Sequence, residues 1–225
     1  MTSYYLEKKL YDFNCDIAQS FGVYNNDIEE EIAKYASSIN ISAGFHAGDP
    51  VKIRKAFLFA KENNKAIGAH IGYPDIAGFG KRKMDLSEDE LEAIVVYQIG
   101  AIIAYARTFD LEIEHVRCHG ALKTAITEDD DCALIVINAI KKVSPWLNLF
   151  VQNQHTKELA QNNGLKAALE FEFDGTSSIR QIREIENEQK IKFDTIHFRS
   201  ANDIQRAYDV VKPFPVNYNR VCDQI

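Results

Sequence analysis

Four side chains that could bind a metal ion or transfer a proton lie in separate parts of the sequence, each beside a short apolar run. They are one early carboxylate and three histidines: Asp16, His46, His70 and His119. One carboxylate with two or three imidazoles is typical of a divalent-metal hydrolase site, and Asp16, His46 and His70 are the predicted ligands. The same groups could act without a metal, with Asp16 as general base and a histidine as acid. The spacing alone leaves both alternatives open.

Further polar residues are predicted to bind a substrate around these groups: Asn14, Asn40, Asp75 and Arg117. Arg117 shares a strand face with His119, and it could bind a substrate carboxylate through two parallel hydrogen bonds. It could equally form an ion pair inside the barrel with Asp12, Asp16 or a neighbour. His115 lies on the same face, at the strand start, and is expected to be packed.

Two features of residues 70–82 have two interpretations each. Asp75 follows Pro74 and could either orient His70 or close a turn. The basic, glycine-rich stretch 78–82 could hold a phosphate or carboxylate, although such a stretch is more often a solvated turn. The sequence has neither a GxxxxGK[ST] loop nor a GxGxxG motif after a strand, so it shows no nucleotide-binding loop of its own.

Short apolar runs between helical patterns predict seven strands that would carry these residues. The runs cover residues 11–13, 39–45, 66–69, 116–118, 147–151, 168–173 and 195–198. Ser87 and Glu90 predict a capping box, and Asp49-Pro50 predicts another helix start. Thr156 is expected to cap a helix that Gly164 ends.

This alternation predicts an α/β protein with parallel strands, either an open doubly wound sheet or a barrel. Asn14 and Asp16 would follow the first strand, and the three candidate histidines the second, third and fourth. In a barrel, the carboxyl ends of all strands converge on one mouth, whereas in an open sheet only those at the switch point do. We therefore predict an irregular seven-stranded (β/α) barrel forming one domain over residues 1–225.

The composition limits the classes of binding partner and the cellular compartment that we expect for this protein. The formal net charge is −7, which argues against non-specific binding to nucleic acid or to an anionic membrane. The N-terminus has no apolar segment of the signal-peptide type, and the four cysteines form no CxxC motif. We expect a cytoplasmic protein with reduced cysteines.

Several of these segments together resemble the LamB/YcsF family, whose members are also known as the A subunits of 5-oxoprolinase. The matching segments run in family order over about residues 10–125 and include Asn14-Cys15-Asp16, Gly44-Phe45-His46-Ala47-Gly48-Asp49-Pro50, the stretch 66–82 and His119-Gly120-Ala121-Leu122. The resemblance implies a glycoside hydrolase/deacetylase-like barrel. It also implies ATP-dependent opening of a small-molecule lactam, 5-oxoproline, to L-glutamate, with 5-oxoprolinase subunits B and C as partners.

The sequence also departs from the family pattern. Gln19 replaces a glutamate and Arg117 a lysine, and Arg199 and Ala201 stand where the family has a histidine and an aspartate. An arginine keeps the charge of a lysine but cannot donate its proton at neutral pH. Three hypotheses therefore stay open: a lactam-opening subunit, a metal-dependent deacetylase-like hydrolase, and a catalytically impaired subunit that binds without turnover.

Overall fold

Seven parallel strands close into a barrel in the order of the sequence, which confirms the predicted seven-stranded (β/α) barrel. The computed structural model describes residues 11–23, 29–173 and 178–210. The first strand pairs with the last, so the sheet has no free edge. The strands are β1 (Asp12–Ile17), β2 (Ser38–Ser42), β3 (Ala66–Ile71), β4 (His115–Cys118), β5 (Asn148–Val151), β6 (Lys166–Glu172) and β7 (Thr195–His197).

Helices connect successive strands, and two of their starts follow the predicted capping chemistry. Asp49 caps the helix that begins at Pro50, and Ser87 and Glu90 form the expected capping box. The prediction for Thr156 was wrong, because the side chain of Asn153 caps that helix by accepting the Thr156 backbone N–H. The helices are α1 (Glu29–Ala33), α2 (Pro50–Glu62), α3 (Glu88–Thr108), α4 (Gly120–Glu128), α5 (Asp130–Val143), α6 (Gln154–Asn162), α7 (Ile179–Gln189) and α8 (Ala201–Val210).

The main apolar core lies between the outer face of the barrel and the helices. Outward side chains such as Phe13, Ile39 and Val116 are fully buried there. By length and composition alone, α3 could cross a membrane. It nevertheless packs against α5 and β3 and buries Val95 and Ile99 in this core. The barrel therefore accounts for its apolar character, and the cytoplasmic location stays a prediction.

The inner face of the barrel is mostly polar, and this face carries the candidate site. Because side chains alternate along a strand, the polar residues recur at every second position. The buried polar residues that share this inner period include Asp12 and Asn14 on β1, Ser38, Asn40 and Ser42 on β2, His70 on β3, His115 and Arg117 on β4, Asn148 on β5, Glu170 on β6, and Thr195 and His197 on β7. The partly buried Asp16 continues the period towards the end of β1.

Three predicted strand ends were wrong by two residues or more. We predicted that β2 ends at residue 45, whereas it ends at Ser42. We also predicted that β1 ends at residue 13 and β3 at residue 69, with the polar side chains in the loops that follow. Instead Asn14 and Asp16 lie within β1, and His70 lies within β3. These polar side chains remain in strands because they hydrogen-bond across the interior of the barrel. The segment before residue 11, predicted to carry no signal peptide, lies outside the described residues.

Candidate functional site

Three histidines meet at the carboxyl ends of β2, β3 and β4. His46 comes from the loop after β2, His70 from the end of β3, and His119 from the N-cap position of α4. One ring nitrogen of each lies within 4.8 Å of the others, and all three residues are buried. The His46 and His119 rings stack with centroids 4.1 Å apart, whereas His70 meets both edge-on. The predicted convergence of the histidines on one mouth is therefore confirmed.

The glycines of the matched motifs allow this close approach. Gly80 has a φ of +65°, and a Cβ there would lie 2.7 Å from the Cβ of His46 and 2.9 Å from Cδ2 of His119. A Cβ at Gly72 would lie 2.8 Å from Nδ1 of His46. Real Cβ atoms do not approach other atoms so closely, so larger residues at either position would displace the rings.

Asp16 completes the site beside the histidines. Its Oδ2 lies 3.4 Å from Nε2 of His70 and 3.5 Å from Nε2 of His197. Asn40 donates to its Oδ1 at 3.0 Å, and Arg117 approaches the same oxygen at 3.3 Å. Burial alone would raise the pKa of Asp16. The charge of Arg117, together with the neighbouring histidines, outweighs burial and holds that pKa well below its usual value.

Arg117 binds carboxylates of the protein. Its Nε and one terminal nitrogen donate to Glu170 at 2.9 Å, that terminal nitrogen also reaches Glu172 at 2.8 Å, and the other donates to Asp16. The ion-pair interpretation thus holds for Asp16 and extends to neighbours on β6. Burial would lower the pKa of Arg117, but Asp16 and Glu170 raise it. The guanidinium holds these strands together, which leaves little of it to bind a substrate carboxylate.

The predicted substrate-binding residues Asn14 and Asn40 belong to the interior hydrogen-bond network. Asn14 donates to Glu170 at 3.1 Å and to Thr195 at 2.7 Å. Its carbonyl oxygen accepts from Asn40 and lies 2.8 Å from Nδ1 of His197. These side chains therefore fix the positions of residues closer to the mouth.

Asp75 forms a turn and makes no hydrogen bond to His70 among the described residues. Its carboxylate accepts the backbone N–H of Gly78 and pairs with Arg82. The hydrogen bond from Arg82 lowers the pKa of Asp75 to about 2. Of the two interpretations, the structure shows the turn.

A cavity of about 300 Å³ opens at this end of the barrel, a volume suited to a small molecule. Asp16, His119 and His197 line it, as do the side chains of Gln19 and Lys81. The four cationic residues at its wall are Lys81, Arg117, Lys123 and Arg199. Arg117, Lys123 and Arg199 all pair with Glu172, whereas Lys81 makes no ion pair within the described ranges.

Four buried histidines have pKa values below the ordinary value for histidine and are neutral at pH 7: His46, His115, His119 and His197. Burial, reinforced by His70, lowers the pKa of His119 to about 3 and that of His46 well below its usual value. Burial and Arg117 lower the pKa of His197 to about 4, and burial lowers that of His115 to about 3. Neutral imidazoles present lone pairs, as metal binding and proton acceptance both require.

The sequence analysis missed Glu170, Glu172 and His197. Each lies inside a run that we treated only as an apolar strand. Their signal was the alternation of polar and apolar residues in residues 168–173 and 195–197, which placed every polar member on one strand face.

The LamB/YcsF family profile matches residues 11–181. The A subunit of 5-oxoprolinase from Pyrococcus horikoshii is 42% identical over 160 residues, which are 71% of this chain and 63% of that protein. Its counterpart from Campylobacter jejuni subsp. doylei is 38% identical over 178 residues, covering 76% and 70%. The chain thus spans about 63% of the length of the Pyrococcus relatives it matches.

Solved structures share the barrel. A lactam utilization protein from Thermus thermophilus superposes with a TM-score of 0.79 at 29% identity, covering 92% of this chain and all of that one. A candidate cellobiose-phosphate cleavage protein from Enterococcus faecalis gives a TM-score of 0.56 at 12% identity, over 95% of this chain and 93% of that one. This second likeness concerns the fold alone.

Proposed function

Because the chain belongs to the LamB/YcsF family, we propose that it is the A subunit of a multi-subunit 5-oxoprolinase, which uses ATP to open 5-oxoproline to L-glutamate. The names of its relatives and of the Thermus lactam utilization protein support this assignment. The observation that carries it is the cluster of Asp16, His46, His70 and His119 beside a cavity of small-molecule size.

The chemistry of the substrate explains why ATP is needed. A ring amide is a poor electrophile at neutral pH, but transfer of the γ-phosphoryl group of ATP to its oxygen, with ADP as leaving group, makes the ring carbon open to attack by water. The C–N bond then breaks as the nitrogen takes a proton, and a second water hydrolyses the resulting acyl phosphate to glutamate and inorganic phosphate. The chain has no GxxxxGK[ST] loop. In our proposal, ATP therefore binds to the complex that this chain forms with subunits B and C, and not to a nucleotide-binding loop of this chain.

We assign to Asp16 the task of holding the attacking water. Its carboxylate lines the cavity, and its low pKa keeps it ionised, so it accepts a hydrogen bond from water in the cavity. Asn40 and Arg117 hold the carboxylate in place from below. The neutral His119 lies on the same wall, where it contacts the reacting end of the substrate.

Lys81, and not Arg117, is the group we assign to the carboxylate of 5-oxoproline. Lys81 lines the cavity and makes no ion pair among the described residues, whereas the nitrogens of Arg117 already donate to carboxylates of the protein. The loop 78–82 also holds the histidines, since Nε2 of His119 lies 2.8 Å from the carbonyl oxygen of Phe79. Substrate binding and catalysis would thus share one loop.

The test is ATP-dependent release of glutamate from 5-oxoproline by this chain with B and C subunits. We expect release by the wild type, loss of at least about 100-fold with Asp16→Ala, and little change with Asp85→Ala, a substitution at an exposed aspartate. Lys81→Met should raise KM more than it lowers kcat, whereas Lys55→Met on the exposed face of α2 should change neither. Release that does not exceed the Asp16→Ala level would refute the assignment.

A metal-dependent deacetylase-like hydrolase is the second candidate, and the three clustered histidines favour it. It would cleave an acyclic amide without ATP and without other subunits. Release of acetate from N-acetylated sugars or amino acids by the isolated chain, abolished by Asp16→Ala, would favour this function over the first.

A further inference from the structure

Backbone carbonyl groups fix which nitrogens of His70 and His119 carry hydrogens. Nδ1 of His70 lies 3.2 Å from the carbonyl oxygen of Arg117, and Nε2 of His119 lies 2.8 Å from that of Phe79. A carbonyl oxygen can only accept a hydrogen bond, so each of these nitrogens is the N–H of its ring. In a ring that carries one hydrogen, the remaining nitrogen therefore has a lone pair.

Those two remaining nitrogens face each other. Nε2 of His70 and Nδ1 of His119 are 3.1 Å apart. Two lone pairs repel at this distance, so the arrangement needs either a proton or a cation between the rings. A third buried nitrogen is close by, because Nδ1 of His46 has no hydrogen-bond partner in the part of the chain that the structure describes. The hydroxyl oxygen of Ser42, 3.3 Å from Nε2 of His46, can accept a hydrogen bond from an Nε2–H group, which leaves the lone pair on Nδ1.

We propose that His46, His70 and His119 bind one divalent transition-metal ion, with Asp16 beside it as the balancing charge. Imidazole nitrogen suits Zn²⁺, Co²⁺ and Ni²⁺, whereas Mg²⁺ and Ca²⁺ prefer oxygen ligands. Imidazole binds a metal ion in its neutral form, so the three ligands together with the carboxylate of Asp16 would carry a charge of −1, which a divalent cation compensates. The ligand set differs from the predicted Asp16, His46 and His70, because His119 takes the third position.

The distances fit such an ion after a small closure. With metal–nitrogen bonds of about 2.1 Å, the 3.1 Å separation of the two facing nitrogens corresponds to an angle at the metal of about 95°. At that bond length and a tetrahedral angle, two ligand atoms of one ion lie about 3.4 Å apart, and the present limit is 4.8 Å. His46 lies in a loop, so its ring supplies the closure of up to about 1.4 Å.

A metal here would supply what Asp16 lacks. A carboxylate is a weak base, whereas a metal ion would lower the pKa of bound water so that a weak base suffices. The metal would occupy the site of the proposed function, so this proposal rests on that function. Binding, however, is measured on the isolated chain, so its failure is separate from a failure to release glutamate.

The experiment is a titration of the full chain, stripped with a chelator, with Co²⁺ and then Zn²⁺. We expect one ion per chain by elemental analysis and visible d–d absorption bands for Co²⁺, which Zn²⁺ displaces. His119→Ala and His46→Ala should each weaken binding by more than about 100-fold, since loss of an outer-shell partner alone costs 10–100-fold. His155→Ala, at an exposed histidine on α6, is the matched control and should bind like the wild type.

Two results would overturn the proposal. One is a wild-type chain that takes up less than about a tenth of an equivalent of either ion, below any stoichiometric site. The other is binding that His155→Ala removes and His119→Ala does not. Circular dichroism checks that the variants fold, and nitrogen NMR of histidine-labelled wild type needs no variant. Zn²⁺ should change the chemical shift of one nitrogen in each of three histidine rings. Spectra that show hydrogens on both nitrogens of His70 and that do not change when Zn²⁺ is added would show that a proton separates the rings.

Discussion

Replacement of Arg117 by methionine should destabilise the barrel strongly, because the buried guanidinium compensates three carboxylates. The clearest measure is Glu170, whose side chain is fully buried. Burial would raise the pKa of Glu170, but Arg117 lowers it from 4.5 to about 2. At about 1.4 kcal/mol per pKa unit, this difference of about 2.5 units contributes roughly 3 kcal/mol to the free energy of unfolding at pH 7. Removal of one partner from a buried ion pair costs about 3–5 kcal/mol in other proteins, which agrees.

The pH dependence gives the sign of the effect. The folded-state pKa of Glu170 lies below its unfolded value, so its stabilising contribution is present above pH 4.5 and is lost as the pH falls towards 2. In Arg117→Met the carboxylates lose their partner and their pKa values rise, so acid then stabilises the variant. The difference in unfolding free energy between the two proteins should therefore shrink from pH 7 to pH 4.5.

The assay is urea unfolding followed by circular dichroism at both pH values. Arg180→Met is the control, because Arg180 forms an exposed pair with Glu184 on α7 that is worth less than about 0.5 kcal/mol. Arg117→Met combined with Glu170→Gln should cost less than the sum of the two single changes. A loss below about 1 kcal/mol at pH 7, as for a surface pair, or a loss that does not shrink in acid, would refute the reasoning.

Three further predictions follow from residues of the barrel interior and the mouth. Gly68→Ala should lower the free energy of unfolding by about 2–3 kcal/mol, because the new Cβ overlaps the His115 ring. Gly100→Ala on α3 is the control: its Cβ meets no atom within 4 Å, and it should raise that free energy by up to about 1 kcal/mol. Equal effects of the two substitutions in urea unfolding would contradict this. Burial lowers the pKa of His115 to about 3 in the folded protein, whereas the unfolded chain binds a proton on this side chain below about 6.5. Stability should therefore decrease as the pH is lowered from about 6.5 to about 3, and His115→Gln should reduce this slope by about 1.4 kcal/mol per pH unit. An unchanged slope in urea unfolding would count against it. Gln19→Glu should leave the rate of glutamate release within about 10-fold of the wild-type rate. An inactive wild type with an active Gln19→Glu variant would instead show that this chain is a catalytically impaired subunit.

Much of the site was predictable because parallel strands bring their carboxyl ends together. The barrel was favoured over an open sheet on the ground that Asp16 and three histidines all lie near strand ends, and the structure places them side by side. Helix starts at Asp49 and Ser87 were predictable from local capping chemistry. Local capping chemistry and the topology of parallel strands were therefore enough to predict the residues at the mouth of the barrel.

The interior was not predictable in the same way. A buried strand with polar residues at alternate positions has the pattern of a half-exposed strand, so the pattern of β6 gave no sign that Glu170 is buried. Its charge is tolerated only because Arg117, 53 positions earlier, meets it across the barrel. Such long-range compensation leaves no local trace, which is why Arg117 was predicted to bind substrate and His197 was overlooked.

Closure of the sheet joins the two ends of the chain's fold. Thr195 on β7 donates to Asp12 on β1 at 2.7 Å, and His197 meets Asn14 at 2.8 Å, so polar groups of the first strand find some of their partners in the last. A growing chain on the ribosome cannot complete the hydrogen bonds of Asp12 and Asn14 until residue 197 has emerged. The barrel should consequently form late and in a single cooperative step, and any chain shortened before β7 should be a substrate for chaperones and proteases.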